Sequence, residues 1–259
     1  MSGAVRGVFS LTMEEMETVE WGRVFFLLQP RVETPFPEGL HDVQRVMMVL
    51  HPSESVGLRR ILLTHKRLPH VRGRRERFWC MVDRVGTLDR VLDDLQPRTY
   101  ETSTRGMRFQ PGAMLVGAGD YAIARHGDHT HFSYALDPPA RPNVIHDALG
   151  IQTSARYLLL AMRPFIGGRG LWQWRLMPDA IKEAFGDKRF ADLQMPMLEH
   201  EGMNLVLVGA GAADRFELAE VQQSHASGHP GDPVEEALRA TLSSWRPRVE
   251  ETEPMLPGD

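Results

Sequence analysis

Four short runs of unbroken apolar character, Val24 to Leu28, Val46 to Leu50, Ile61 to Thr64 and Phe78 to Val82, dominate the first third of the chain. Each is too short for an ordinary helix, is rich in β-branched or aromatic residues and is bounded by breakers or charge. These features specify buried strands. Arg23 to Pro30 and Arg45 to Pro52 share one pattern, a basic residue and five apolar residues with a proline close behind, and Arg156 to Pro164 repeats it loosely. A strand leaving its sheet at a proline, which has no N–H for the ladder, takes this form; so does an internal duplication.

Helix signals are fewer. Thr87 is placed to cap a helix through Leu95, Asn143 one through Leu149 that stops at Gly150, and Pro178 opens one that ends at Gly186. Near the C-terminus Asp232 is a cap and Pro233 takes the first helical position, while Val234, Leu238, Thr241, Leu242 and Trp245 form an apolar stripe. Strands with interspersed helices and no regular alternation predict an α+β fold. The expected architecture is a mostly antiparallel sheet with helices packed on it, a docked C-terminal helix and a flexible acidic tail.

The expected organisation is a flexible segment or short acidic helix over 1–20, an α+β body over 21–223 with a sub-division near residue 100, a linker over 224–231, a helix over 232–246 and a disordered tail over 247–259. Thirty basic against 34 acidic residues give a net charge of −4 and exclude a generally polycationic chain. The sequence has no apolar run near the ~20 residues of a membrane helix and begins without a basic-then-apolar signal, so a cytoplasmic location with no membrane partner is expected. The single cysteine, Cys80, sits inside an apolar run and reads as an inert core thiol rather than a nucleophile.

The segment from Tyr121 to Leu136 carries the first candidate site. Gly127-Asp128 between two alternating runs is a hairpin turn signal, which sets His126 opposite His129 and places His131 on the same face with Ala122, Ala124, Ser133 and Ala135. Tyr121, Ile123, Phe132, Tyr134 and Leu136 form the core side. Three imidazoles on one face can hold zinc or iron with an open position, so His126, His129 and His131 are the candidate metal ligands, with Asp128 and Asp120 as candidate orienting carboxylates.

The second candidate is the stretch from Arg59 to Arg77, with eight basic residues against the single acid Glu76. Lys66, Arg67, Arg72, Arg74, Arg75 and Arg77 are the candidate anion-binding residues, and nucleic acid, a phosphate ligand or an acidic protein face is the candidate partner. The competing reading is a solvated loop, or one paired with the acidic N-terminus.

Two glycine motifs fail as dinucleotide sites. Leu205 to Asp214 is not followed by a second β-branched strand, and Asp214 stands where the third glycine belongs; Val116 to Asp120 leads into a strand rather than a helix N-terminus. Trp172-Gln173-Trp174, at strand spacing, reads as cover for a core edge or as a stacking platform. Tyr100 to Gly106 reads as an alternating strand ending in a turn, with Glu101 or Arg105 able to point into a cleft.

Lys66-Arg67-Leu68-Pro69, Trp79, Val82-Asp83, Tyr100-Glu101-Thr102 with Thr104-Arg105-Gly106, and His126, His129-Thr130-His131 and Tyr134 together resemble a family of uncharacterised prokaryotic proteins. The resemblance covers about the middle half of the chain and implies no activity. Two functions are therefore expected from the residues: a non-catalytic binding or assembly protein using the basic loop, or a metal-dependent hydrolase or oxygenase built on the three histidines.

Overall fold

The computed structural model describes residues 17–55, 57–71, 76–127, 129–137, 144–164, 169–211 and 233–244. The four apolar runs form a meander of antiparallel strands, β1 (Glu17–Pro30), β2 (Val43–Pro52), β3 (Leu58–Leu63) and β4 (Arg77–Gly86). A second meander consists of β7 (Met114–His126), β8 (His129–Leu136), β9 (Ser154–Met162) and β11 (Asn204–Gly211). Two further pairings join them. β4 lies antiparallel to β11, and β1 lies antiparallel to β7 along nearly its whole length.

These two seams close the wall in the order β1-β2-β3-β4-β11-β9-β8-β7. The protein is mostly β and is built on a closed eight-stranded barrel, which corrects the expected α+β sheet with helices packed on it. The misreading has a physical origin. A strand buried on both faces has the same apolar run whether an open sheet is covered by helices or a sheet curls round its own core.

Alternation then sorts the side chains. Val24, Phe26 and Leu28 join Met48, Ile61, Val82, Phe132 and Tyr157 in the interior cluster, while Phe25 and Leu27 face outward into a second cluster with Met47 and Val49. Eight strands enclose a space just wide enough for side chains. Tyr121, Phe132, Tyr134 and Tyr157 are fully or almost fully buried there, and the gap among Met48, Cys80, Phe132, Leu198 and Leu205 is about the size of one water molecule. Burial pushes the Cys80 thiol up to about 12, so it stays protonated at neutral pH, as an inert core cysteine should.

The outer cluster is covered by α1 (Leu88–Leu92), the 3-10 turn after it, and the C-terminal helix α5 (Pro233–Thr241). Thr87 flanks α1 in an extended conformation without making a side-chain capping bond. Leu238 and Leu242 are buried against the barrel, and Glu235 accepts from Arg23 at 3.0 Å. Arg23 in turn donates to Asp120 at 2.8 Å and to Asp137 at 2.6 Å, so one guanidinium ties the helix to β1 and β7. Beyond α5 the two-residue β12 (Ser243–Ser244) lies parallel to the start of β7. Trp245, the linker over 224–231 and the tail over 247–259 lie outside the described residues.

Antiparallel neighbours give the barrel two distinct ends. The start of β1, the β2–β3 turn and the β7–β8 turn share one, the hairpin end; the β1–β2, β3–β4 and β8–β9 connections share the other, the loop end. The segment from β9 to β11 plugs the hairpin end through α3 (Arg169–Leu176), α4 (Asp179–Phe185), the short strand β10 (Phe190–Asp192) and a 3-10 turn at Met195–Glu199; Ile181, Phe185, Met197 and Leu198 enter the core. Trp172 to Trp174 belongs to helix α3 rather than to a strand, and Trp174 packs edge-on against Phe185 beneath the Arg163 guanidinium. Leu68 and Val71 of the β3–β4 connection, with Ile145 and Leu149 of α2 (Val144–Leu149), plug the loop end. Near residue 100 a two-stranded hairpin, β5 (Arg98–Thr102) and β6 (Gly106–Gln110), forms a separate small sheet.

The strand-and-glycine segment at Leu205 is barrel strand β11, whose chain neighbour in the wall is antiparallel β9, an arrangement that has no βαβ crossover. The two best-matched repeats, β1 and β2, are adjacent antiparallel strands, with Arg23 opposite His51 and Gln29 opposite Arg45. Their likeness follows from sharing the same two cores.

Candidate functional site at the loop end of the barrel

The basic stretch divides as soon as its strand and loop residues are separated. Arg59 and Arg60 belong to β3 and are buried. Arg60 donates from Nε to Asp83 at 2.8 Å and from Nη1 to both the Val91 carbonyl and Asp94 at 2.6 Å; Arg45 holds the other oxygen of Asp94 at 3.1 Å. Burial by itself would raise the Asp94 pKa, yet Arg60 and then Arg45 outweigh it and hold the carboxyl below its ordinary value.

Arg59 sits at the hairpin end, where Nη1 donates to Glu20 at 2.6 Å and Nε to Glu199 at 2.8 Å. The Tyr121 hydroxyl donates to the same Glu20 at 2.8 Å. Burial opposes the charge of Arg59, but Glu20 and then Glu199 prevail and raise its pKa. Glu20 of the acidic N-terminal stretch pairs with Arg59 of β3, at the opposite end of the barrel from the basic loop, and Glu14 and Glu15 lie outside the described residues.

What remains at the loop end is the connection between β3 and β4. Lys66 adopts a left-handed backbone conformation, φ 57°, to turn the chain, and its ammonium donates to the Val43 carbonyl at 2.7 Å. Leu68 donates its N–H to the Leu149 carbonyl at 2.8 Å. Two glycines let the loop backbone approach: a Cβ at Gly150 would meet the Leu68 carbonyl oxygen at 2.7 Å, and one at Gly209 would meet that of His70 at 2.0 Å.

Glu76 closes the stem. Its carboxylate accepts from the His70 N–H at 2.8 Å and from Arg67 at 3.1 Å, and these donors, the backbone one first, hold its pKa below the ordinary value. The Arg67 guanidinium also lies 4.6 Å from the Phe78 ring centre, and His65 stacks on that ring at 4.3 Å. With Leu68 and Val71 drawn into the core, the stem is fixed at both feet. Arg77 is exposed at the start of β4. Arg72, Arg74 and Arg75, in the chain between the clamped ends, lie outside the described residues.

A second group of cations shares this end. The β1–β2 connection ends at Val43, which Lys66 holds, and near its start Glu33 bonds to both the carbonyl and the N–H of Phe109 in β6. The β5–β6 hairpin hangs there, with Arg98, Tyr100 and Arg105 exposed and Met107 64% exposed. Arg98 lies 5.7 Å from the Tyr100 ring centre, and Arg108 is paired across the ladder with Tyr100. Sequence reasoning singled out Glu101 and Arg105 here and missed Tyr100 between two arginines. The alternation of Arg98, Tyr100 and Thr102 along β5 was the available signal.

The histidine hairpin occupies the opposite end. The register matches the expectation: His126 is opposite His129, Ala124 is opposite His131, and Gly127 turns the chain at φ 57°. Tyr121, Ile123, Phe132 and Tyr134 face the core as expected. The His126 and His131 ring centres are 6.2 Å apart, tilted by 57°, and His129 is exposed. Among the described residues no three His, Cys, Asp or Glu side chains form a group able to hold a metal ion. Asp128 lies outside the described residues.

No protein-family model matches the sequence, and no curated protein and no solved structure matches the chain. Among the described residues no helix is long and apolar enough to cross a membrane.

Proposed function

We propose that this protein is a non-catalytic binding protein that presents the loop end of its barrel to an anionic partner, a nucleic acid, a phosphate ligand or an acidic protein face. The observation that carries this reading is the anchored β3–β4 stem. Leu68 and Val71 are buried and Glu76 joins Arg67 to the His70 backbone, so the described chain is held on both sides of the sequence positions that carry Arg72, Arg74 and Arg75. A rigid stem lowers the ordering cost that a floppy cationic loop would meet on binding.

Among the described residues, side chains such as Phe26, Tyr121, Phe132, Tyr134 and Tyr157 fill the barrel interior, which supports a role on the outside of the barrel. Salt-dependent retention on heparin tests the proposal. The parent should elute progressively earlier as salt rises, and a variant with Arg72, Arg74, Arg75 and Arg77 changed to Gln should lose that retention. A parent that is not retained, or whose retention ignores salt, overturns it.

A further inference from the structure

Resting on that reading, we infer that the β5–β6 hairpin is a stacking platform for the bases of a single-stranded nucleic acid. The hairpin forms its own two-stranded sheet, tied to the barrel through Phe109 and the buried Gln110, while Arg98, Tyr100, Arg105 and Met107 are exposed. One face sets Tyr100 between cations. Arg98 precedes it by two residues on the same side, with its guanidinium 5.7 Å from the ring centre, and Arg108 faces it across the ladder, half-buried and ion-paired with Glu33 at 3.4 Å, so Arg98 is the more open of the two cations. Arg105 stands exposed at the turn beyond.

This is the combination that single strands select. A base presents a flat π face only when it is out of a duplex, and an exposed phenol ring offers a surface of the same kind. Arg98, two residues back along β5, and Arg105, at the turn beyond, put cations on both sides of the ring along the hairpin, and a guanidinium already lying against the ring adds a cationic edge to the stack. Tyr100 is 36% exposed, which leaves part of the ring accessible to a base.

The other face of the hairpin carries Phe109 and Met107, with Phe109 held by Glu33 through both backbone groups and so fixed to the barrel. That anchorage matters for binding. A platform held against the β1–β2 connection does not have to be ordered when the strand arrives, and it lies at the same end as the β3–β4 stem, so one polyanion can engage both.

Fluorescence anisotropy with a labelled single-stranded oligothymidylate of about 20 nucleotides, long enough for a site of this type, tests the inference on the full chain. The single strand should bind more tightly than a duplex of equal length. Tyr100→Ala should weaken it about tenfold and Tyr100→Phe should leave it within about twofold, since the ring and not the hydroxyl does the stacking. Arg98→Gln should lower the slope of log affinity against log salt by about one. Heparin retention should not change in Tyr100→Ala.

Equal binding by Tyr100→Ala and the parent, or by duplex and single strand, overturns the inference. A parent retained by heparin but indifferent to oligothymidylate overturns the platform and leaves the anionic-partner reading standing. A parent that binds oligothymidylate through Tyr100 after Arg72, Arg74, Arg75 and Arg77 are neutralised keeps the platform and overturns the loop. Circular dichroism of each variant keeps a loss of binding distinct from a loss of fold.

Discussion

Arg60 and Arg67 stand seven positions apart in one run of cations, yet they belong to different physical regimes. Arg60 has no solvent exposure and is neutralised by Asp83 and Asp94, whereas Arg67 is at the surface, half-engaged with Glu76 and stacked on Phe78. The difference arises from strand membership. Arg60 lies in β3, beneath α1, where leaving a charge unpaired would be costly; Arg67 lies past the end of the strand, where water shares the work. A run of like charges therefore marks a surface patch only where the backbone carrying it has left the sheet.

The comparison can be broken most severely at Arg60. Arg60→Ala should lower the unfolding free energy by about 3–5 kcal/mol, because Asp83 loses its buried partner and Asp94 keeps only Arg45, and urea denaturation measures it. Changing Asp83 and Asp94 to Asn alongside Arg60→Met should recover most of that loss. Arg59→Met should cost less, about 1.5–3 kcal/mol, since Glu199 is half exposed and can turn to water and the nearly buried Glu20 keeps the Tyr121 hydroxyl as a donor.

Acid sharpens the contrast. The carboxyls of Asp94, of Glu76 and of Glu201, which accepts from the Val85 N–H at 3.0 Å and from Arg90 at 2.8 Å, are all held below their ordinary pKa. Their contribution to stability is complete above the ordinary carboxylate range and is lost as pH falls through the lowered values. Thermal melts should show stability declining below about pH 4, and Asp94→Asn should flatten part of that decline. At the smallest end, Glu76→Gln should change global stability by less than about 1 kcal/mol, and neutralising Arg72, Arg74 and Arg75 by less than about 0.5 kcal/mol. Glu76→Gln should nonetheless speed proteolytic cleavage in the β3–β4 connection, because the bond to the His70 N–H is weakened.

What the sequence made legible follows the same division between local and distant causes. The strands β1 to β4 announced themselves through apolar runs, and the β7–β8 register, with its two faces, followed from alternation around Gly127-Asp128. α4 was legible from Pro178 and Gly186. Closure was not, because the seam of β1 on β7 joins residues such as Arg23 and Asp120, 97 positions apart, and no local pattern records which distant strand will be the neighbour. α3 was read at strand spacing because its two tryptophans are separated by one residue, and a helix of eight residues is too short to show a period.

The candidate sites divide likewise. The three histidines were placed on one face from period alone, but whether their rings converge depends on rotamers and neighbours that period does not encode. The cationic stretch was visible as composition, while the burial of Arg59 and Arg60 depended on Glu20, Asp83, Asp94 and Glu199, brought in from other strands, turns and loops.

The wall is finished by β11, the only strand between β4 and β9. Chain order thus sets an order of assembly on the ribosome. By the time β9 has emerged, two meanders can have formed and joined at β1 and β7, but β4 and β9 each present a bare ladder until residues 204–211 arrive about 2–10 seconds later at ordinary rates of synthesis. A curled sheet with two open borders is the form most exposed to pairing with a neighbour's strands. The plug formed by α4 and the 3-10 turn at Met195–Glu199 is made in that interval, so the nascent chain can shelter the apolar interior before its last seam is closed.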